Sequence, residues 1–184
     1  MTYASLRRAI TGTAVATGLL LGNGTISAQS APVASADAKD VATADAIISA
    51  LYAVISGPAG QKRDWDRFRS LFIPEARLIV ARRDTSGRTR AGVFTPDGYI
   101  AVSGGLEKNG FFEREIAKTS ETFGAVTHRF STYESRRRAE DPTPFARGIN
   151  SIQLLDDGKR WWVVTIYWDS ERPGNAIPER YLPR

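Results

Sequence analysis

The second half of this chain constrains its fold more than any other feature. Residues 111–118, 125–137, 146–155 and 160–169 are rich in Val, Ile, Thr, Phe, Tyr and Trp and alternate along their length, the pattern of half-buried strands. Asp141-Pro142-Thr143-Pro144 breaks the run once, and Asp156-Asp157-Gly158 turns it into a hairpin. Read as a type I turn with a glycine bulge, the hairpin pairs Leu155 with Lys159, sets Ile152 opposite Trp162 and Asn150 opposite Val164. One face is then Asn150, Ile152, Leu154, Trp162, Val164, Ile166 and Trp168, nearly all apolar and expected to face the interior. The other face mixes Ile149, Ser151, Gln153, Trp161, Val163, Thr165 and Tyr167, a composition suited to a subunit contact.

Helices precede this sheet. Val41, Ala44, Ile48, Leu51, Tyr52 and Ile55 fall at spacings of three and four, predicting one helix over residues 37–56 that Gly57-Pro58 ends. Asp64 is placed to cap a second, short helix carrying Trp65, Phe68, Leu71 and Phe72, with Pro74 closing it. Strands are expected over 76–83 and 91–94, separated by a turn at 84–89. Thr95-Pro96 starts a third helix, weakened by Gly104-Gly105 and ended by Asn109-Gly110. The order α-α-β-β-α-β-β-β-β predicts an α+β fold, a curved antiparallel sheet wrapped as a cone around the N-terminal helices. The open end of such a cone is a natural apolar pocket.

The 184 residues suit a single globular domain, and the first 28 read as a leader. Arg7-Arg8 precede an apolar stretch from Ile10 to Leu21, and Ile26-Ser27-Ala28 offers a small-residue cleavage site. The expected organisation is a signal peptide (1–28), a disordered spacer (29–38), the folded domain (39–169) and a Pro-rich tail (170–184). The apolar stretch is too short to span a bilayer, so the mature protein is expected to be periplasmic or secreted, with no stable membrane anchor. The absence of cysteine excludes disulfides, thiol nucleophiles and Cys-based metal sites. The formal charge is +5, and Arg7 and Arg8 supply two of these charges. The remainder is too small an excess to point to nucleic acid.

The chain resembles the nuclear transport factor 2-like superfamily, including its SnoaL-like and ketosteroid isomerase-like branches. The resemblance runs over residues 40–169. It is carried by Leu51-Tyr52-Ala53-Val54, by the stretch from Asp64 to Phe72, by Ala76-Arg77-Leu78, by Phe130-Ser131-Thr132-Tyr133-Glu134 and by the stretch from Asp157 to Trp162. It implies the cone fold, which hosts enzymes, binding modules and assembly domains alike. In the isomerase branch a first-helix tyrosine and a first-strand aspartate do the chemistry. Tyr52 matches the tyrosine by position, whereas the strand here reads Leu78-Ile79-Val80-Ala81 and has no carboxylate.

His128, the only histidine, is the first candidate for a general base, because imidazole is the side chain suited to proton transfer near neutral pH. With Tyr52 it forms the candidate catalytic pair. A hydrogen-bonded strand histidine and a core tyrosine account for the same positions. Asn150, polar on an apolar face, needs a partner or a ligand. Trp162 and Trp168 would line the cone with Asn150 as substrate-binding residues, or simply pack the core. One histidine cannot build a His-based metal site, so no metal and no cofactor are expected. Three functions fit: an exported domain binding a small apolar molecule, an acid–base lyase, isomerase or hydrolase using His128 and Tyr52, and a non-catalytic interaction module. A homodimer through the outer face of the C-terminal hairpin is the expected assembly.

Overall fold

The computed structural model describes residues 35–183; the signal peptide and most of the spacer expected from the sequence lie outside the described residues. Helix α1 (Ala38–Val41) is capped by Asp37, whose carboxylate accepts from the Lys39 amide at 3.0 Å. Helix α2 (Ala44–Ile55) follows at once. The sequence predicts a single helix here. Thr43 divides it by taking an extended backbone (φ −143°, ψ 162°) and accepting from the Ala46 amide, so it caps a new helix instead of continuing the old one. Helix α3 (Trp65–Ser70) is capped by Asp64 as its spacing suggests. It stops before Phe72, which opens strand β1 (Phe72–Arg83). Pro74 therefore sits inside a strand. The proline is tolerated because the pairing of β1 with its neighbour shifts between Phe72 and Arg77, so no ladder bond is required of it.

A turn built on Asp84, which accepts from the Ser86 and Arg88 amides, leads into β2 (Thr89–Phe94). Thr95 caps α4 (Pro96–Val102), and α5 (Gly104–Asn109) follows after the break that Gly104-Gly105 favours. Four long strands complete the fold: β3 (Phe112–Phe123), β4 (Val126–Arg136), β5 (Ala146–Asp156) and β6 (Trp161–Ser170). The sheet order is β2-β1-β6-β5-β4-β3. The sheet is mixed, not wholly antiparallel. The β1–β2 hairpin and the β3–β6 meander join through β1 and β6, which run parallel; α4 and α5 make the connection between the two halves.

The hairpin register also departs from the sequence reading. The turn spans Asp157 to Arg160, with Leu155 opposite Trp162 and Asp156 opposite Trp161. A bulge beyond Gln153 leaves Val164 unpaired and sets Ile152 opposite Ile166 and Asn150 opposite Trp168, in place of the Trp162 and Val164 partners expected from the sequence. The bulge exchanges the faces of the three residues before it. Val163 is fully buried, Trp161 packs against the core, and Trp162 turns to the outside, where its Nε1 donates to Asp157 at 2.7 Å and the Arg160 guanidinium lies 3.6 Å from its ring.

Helix α2 buries Ile47, Ile48, Leu51, Tyr52, Val54 and Ile55 against the inner face of the sheet. Phe68 is the hub of the core, with ring centroids 4.7 Å from Phe72, 5.6 Å from Tyr99 and 5.7 Å from Trp65. Arg63, buried beyond the end of α2, donates to the carbonyls of Ile55, Gly57 and Gln61. It satisfies acceptors that a helix end otherwise leaves open and binds α2 to the loop below it. The tail lies on the outer face, where Thr132 donates to the Tyr181 carbonyl at 2.6 Å and Tyr181 packs on Phe130.

Gly148 marks the closest approach in the sheet. A methyl group there would lie 2.4 Å from the Asp169 carbonyl and 2.5 Å from the Tyr133 hydroxyl. Gly148→Ala is expected to cost about 1–3 kcal/mol as overpacking, read as a lowered urea midpoint at unchanged slope. An unchanged midpoint would mean that both the Asp169 backbone and Tyr133 give way freely.

Candidate functional site

Where α2, α4 and α5 stand off from the concave face of β4–β6, they leave a cavity of about 270 Å³, at the small end for ligand sites. Leu51, Ile55, Leu78, Leu106 and Ile166 supply aliphatic wall, and Tyr99, Phe111, Tyr133, Phe145 and Trp168 supply aromatic wall. Phe145 is about half exposed and marks the open end.

Glu113 of β3 is the one formally charged side chain in this lining. Strand alternation aims it inward beside Ser135, its cross-strand partner, whose hydroxyl donates to Oε2 at 2.7 Å. Burial among apolar groups pushes its carboxyl up to about 7, against smaller opposing effects of Ser135 and Asn150, which favour the charged form. Burial, reinforced by the Glu113 charge, holds the Tyr52 and Tyr99 hydroxyls well above the usual phenol range. Tyr133, bonded to Ser170 at 3.0 Å, is pushed up to about 12, chiefly by burial. These tyrosines stay protonated, so Glu113 is the group of the cavity wall that changes charge near neutrality.

The folded chain holds the Glu113 proton more tightly than an unfolded chain, whose value is the ordinary 4.5. Its contribution is therefore fully present below about pH 4.5, falls as pH rises to about 7, and is lost above that. Glu113→Gln, which cannot ionise, is expected to gain on the parent by about 1–3 kcal/mol across that window, allowing for solvent at the mouth. Urea unfolding of both proteins at several pH values checks it; a constant difference would mean that Glu113 is solvated.

Tyr52 projects from α2 to the cavity wall, but its hydroxyl is already committed. Asn150 Nδ2 donates to Tyr52 Oη at 3.0 Å, and Tyr52 Oη is 2.7 Å from Ser131 Oγ. Ser131 gives its only proton to Glu115 at 2.5 Å, so Tyr52 is the donor of the pair. The chain Asn150–Tyr52–Ser131–Glu115 thus runs from the cavity to a buried ion cluster. There Arg129 binds Glu115 at 2.9 Å and also Asp45, which Lys118 reaches from outside.

No protein-family model matches the chain, and no curated protein matches it in sequence. Solved structures do match in shape. A cystatin-like-fold protein of unknown function from Nostoc punctiforme superposes with a TM-score of 0.50 at 10% identity, over 67% of this chain and 84% of that one. The fold is cystatin-like. A protein from Silicibacter pomeroyi described as NTF-2 like superposes with a TM-score of 0.47 at 14% identity, over 71% of this chain and 94% of that one. A CaMKII hub from S. rosetta gives 0.44 at 11% identity, over 59% and 82%.

Within this cone, Tyr52, Asn150 and Trp168 of the five expected site residues meet at the cavity wall. His128 does not. It alternates with the inward residues of β4 and stands on the outer face, where Nε2 bonds Ser151 at 2.9 Å and the ring abuts Phe130. The sheet therefore separates His128 from Tyr52, and the two cannot act on one molecule in the cone. Trp162 is outside as well, displaced by the hairpin bulge. The carboxylate that the first strand lacks enters from β3 as Glu113. The sequence carries one sign of it: an acid in step with Phe111, on a strand otherwise expected to be half buried. Among the described residues, no three His, Asp or Glu side chains converge to hold a metal ion.

Proposed function

We propose that this is an exported protein that binds a small, mainly apolar molecule in the cone. The cavity carries the reading: aliphatic and aromatic walls enclose a space of about 270 Å³ around one carboxyl group. Burying a titratable acid among apolar groups costs folding energy, and binding a ligand is the function that offsets it. Export rests on the pattern of residues 1–28; mass spectrometry of protein recovered from the periplasm or medium would find a chain starting at Gln29 if it holds.

Screening a library of one- and two-ring fragments by ligand-observed NMR tests the binding. Hits are expected with the parent and not with Ala146→Phe, which puts a ring into the cavity from the start of β5. Fragments that bind both proteins equally, or none at all, would count against it.

One observation favours proton transfer as a second activity of the same site. Glu113, with a carboxyl near 7 in an apolar wall, has the value and setting of a general acid–base. For a bound ketone, exchange of its α-protons with D₂O is expected to be about 10²-fold slower with Glu113→Gln than with the parent. Equal exchange would leave the site a binding site only. We also infer self-association through the outer hairpin face, where Tyr167 remains half exposed; Tyr167→Asp is expected to shift sedimentation from dimer to monomer, and a parent that sediments as a monomer would refute it.

A further inference from the structure

We propose that the molecule taken by the cavity is a small organic ammonium, with its positive nitrogen against Glu113 and its apolar body against the rings of Tyr99, Tyr133 and Trp168. The proposal rests on the reading of the cone as a ligand site and names the chemistry of the ligand.

Three features of the wall point the same way. First, its only formal charge is negative: the lining contains Glu113 and no Arg, Lys or His. An anionic ligand would meet a carboxyl and nothing to neutralise it, so its desolvation would go uncompensated. Second, donors on three polar residues of the wall are already engaged. Ser135 gives its proton to Glu113, Tyr52 gives its proton to Ser131, and Asn150 donates to Tyr52. A donor or a cation entering the cavity finds Glu113 as its acceptor. Third, much of the apolar wall is aromatic, with Tyr99, Phe111, Tyr133, Phe145 and Trp168 set among aliphatic side chains. Ring faces attract a cation through their quadrupole and take over part of its lost hydration. Phe145 at the mouth shows this directly, since the Arg137 guanidinium lies 4.1 Å from its ring centroid although Arg137 is not part of the lining. A carboxylate combined with several ring faces and no competing base is the composition of an ammonium site.

The groups around Glu113 allow the charge to form when the ligand arrives. Tyr52 faces it from α2, Tyr99 from α4, Tyr133 and Ser135 from β4, and Asn150 from β5. On its far side, a groove is edged by Arg114, Glu115, Arg136 and Asp141. Those charges are paired among themselves or with neighbours: Arg114 and Arg136 both bind Glu134, Arg138 binds Asp141, and Glu115 binds Arg129. A cation entering the cavity therefore meets a carboxyl whose proton it can displace, and its affinity should rise with pH. A neutral acceptor, bound by the protonated acid, should show the opposite trend.

The probes are phenyltrimethylammonium, whose charge is independent of pH, and its uncharged isostere tert-butylbenzene. Binding of each to the full chain is followed by ligand-observed NMR at pH 6 and pH 8. The cation is expected to bind about tenfold more tightly than the isostere at pH 8. Its affinity is expected to rise up to about tenfold from pH 6 to pH 8, as Glu113 ionises around 7. Both effects should vanish in Glu113→Gln, and the pH trend in the parent stands independently of how that variant folds. Equal or tighter binding of tert-butylbenzene, or a cation affinity that falls with pH, overturns the ammonium assignment and leaves the cavity a site for neutral ligands. Failure of both probes to bind the folded parent overturns the assignment together with the ligand-site reading.

Discussion

Replacing Arg129 with alanine is expected to destabilise the fold by about 3–5 kcal/mol. The side chain is 5% exposed and binds Glu115 through two nitrogens while a third reaches Asp45. Without it, Glu115, itself 18% exposed, keeps only the Ser131 hydroxyl as a partner. An uncompensated charge at that depth is the costly case, far above an exposed ion pair worth about 1 kcal/mol or less. The damage should also propagate, because Ser131 orients Tyr52 and Tyr52 anchors Asn150 in the cavity wall. Urea unfolding measures the loss. The double variant Arg129→Met/Glu115→Leu is expected to recover most of it, since it removes both charges together. A single-variant loss under about 1 kcal/mol would mean that water already reaches the cluster.

Phe68→Ala should cost about as much, roughly 3–5 kcal/mol, for a different reason. The ring is 1% exposed and packed among Trp65, Phe72 and Tyr99. Truncation loses its transfer energy and leaves a void that three rigid rings cannot close. Because Phe68 also lines the ligand cavity, that void should merge with it. Fragments too large for the parent are then expected to bind the variant, observable in the same NMR screen. A loss below about 1.5 kcal/mol with no change in fragment size would show that the core relaxes around the gap.

These residues also show why the sequence discloses some parts of the molecule and hides others. Local rules recover the elements. Asp64 and Thr95 cap the helices they precede, and the four long strands fall where β-branched and aromatic residues alternate. Alternation also assigns Asn150, Ile166 and Trp168 to the inner face. It fails on Trp161 to Val163, because a single bulge at Val164 reverses the face of every residue between it and the turn. Nothing in the local sequence positions that bulge. The parallel β1–β6 pair is hidden for a similar reason, since pairing between the first and last strands is a property of the closed sheet.

The site was less legible than the fold. A lone histidine draws attention for its chemistry, but parity along β4 puts His128 on the outer face with Phe130, opposite Arg129 and Tyr133. Glu113 looks like one of several acids on an ordinary strand. Its character comes from what surrounds it: apolar walls assembled from α2, α3, α4 and α5 and from strands β1, β4, β5 and β6. Tyr52 was visible by position, yet its hydroxyl faces a committed partner that only the packing of α2 on β4 reveals.

The central claim is that Glu113 is an acid poised near neutrality in an apolar cavity, and its own titration tests this most directly. Carboxyl ¹³C shifts of glutamate-labelled full-length protein, followed from pH 3 to 9 with Glu113→Gln to identify the resonance, give its midpoint. The structure predicts a midpoint near 7, about 2.5 above the ordinary 4.5. A resonance titrating near 4.5 would contradict it, placing the carboxyl in water and leaving the cone without a group to bind a cation or move a proton.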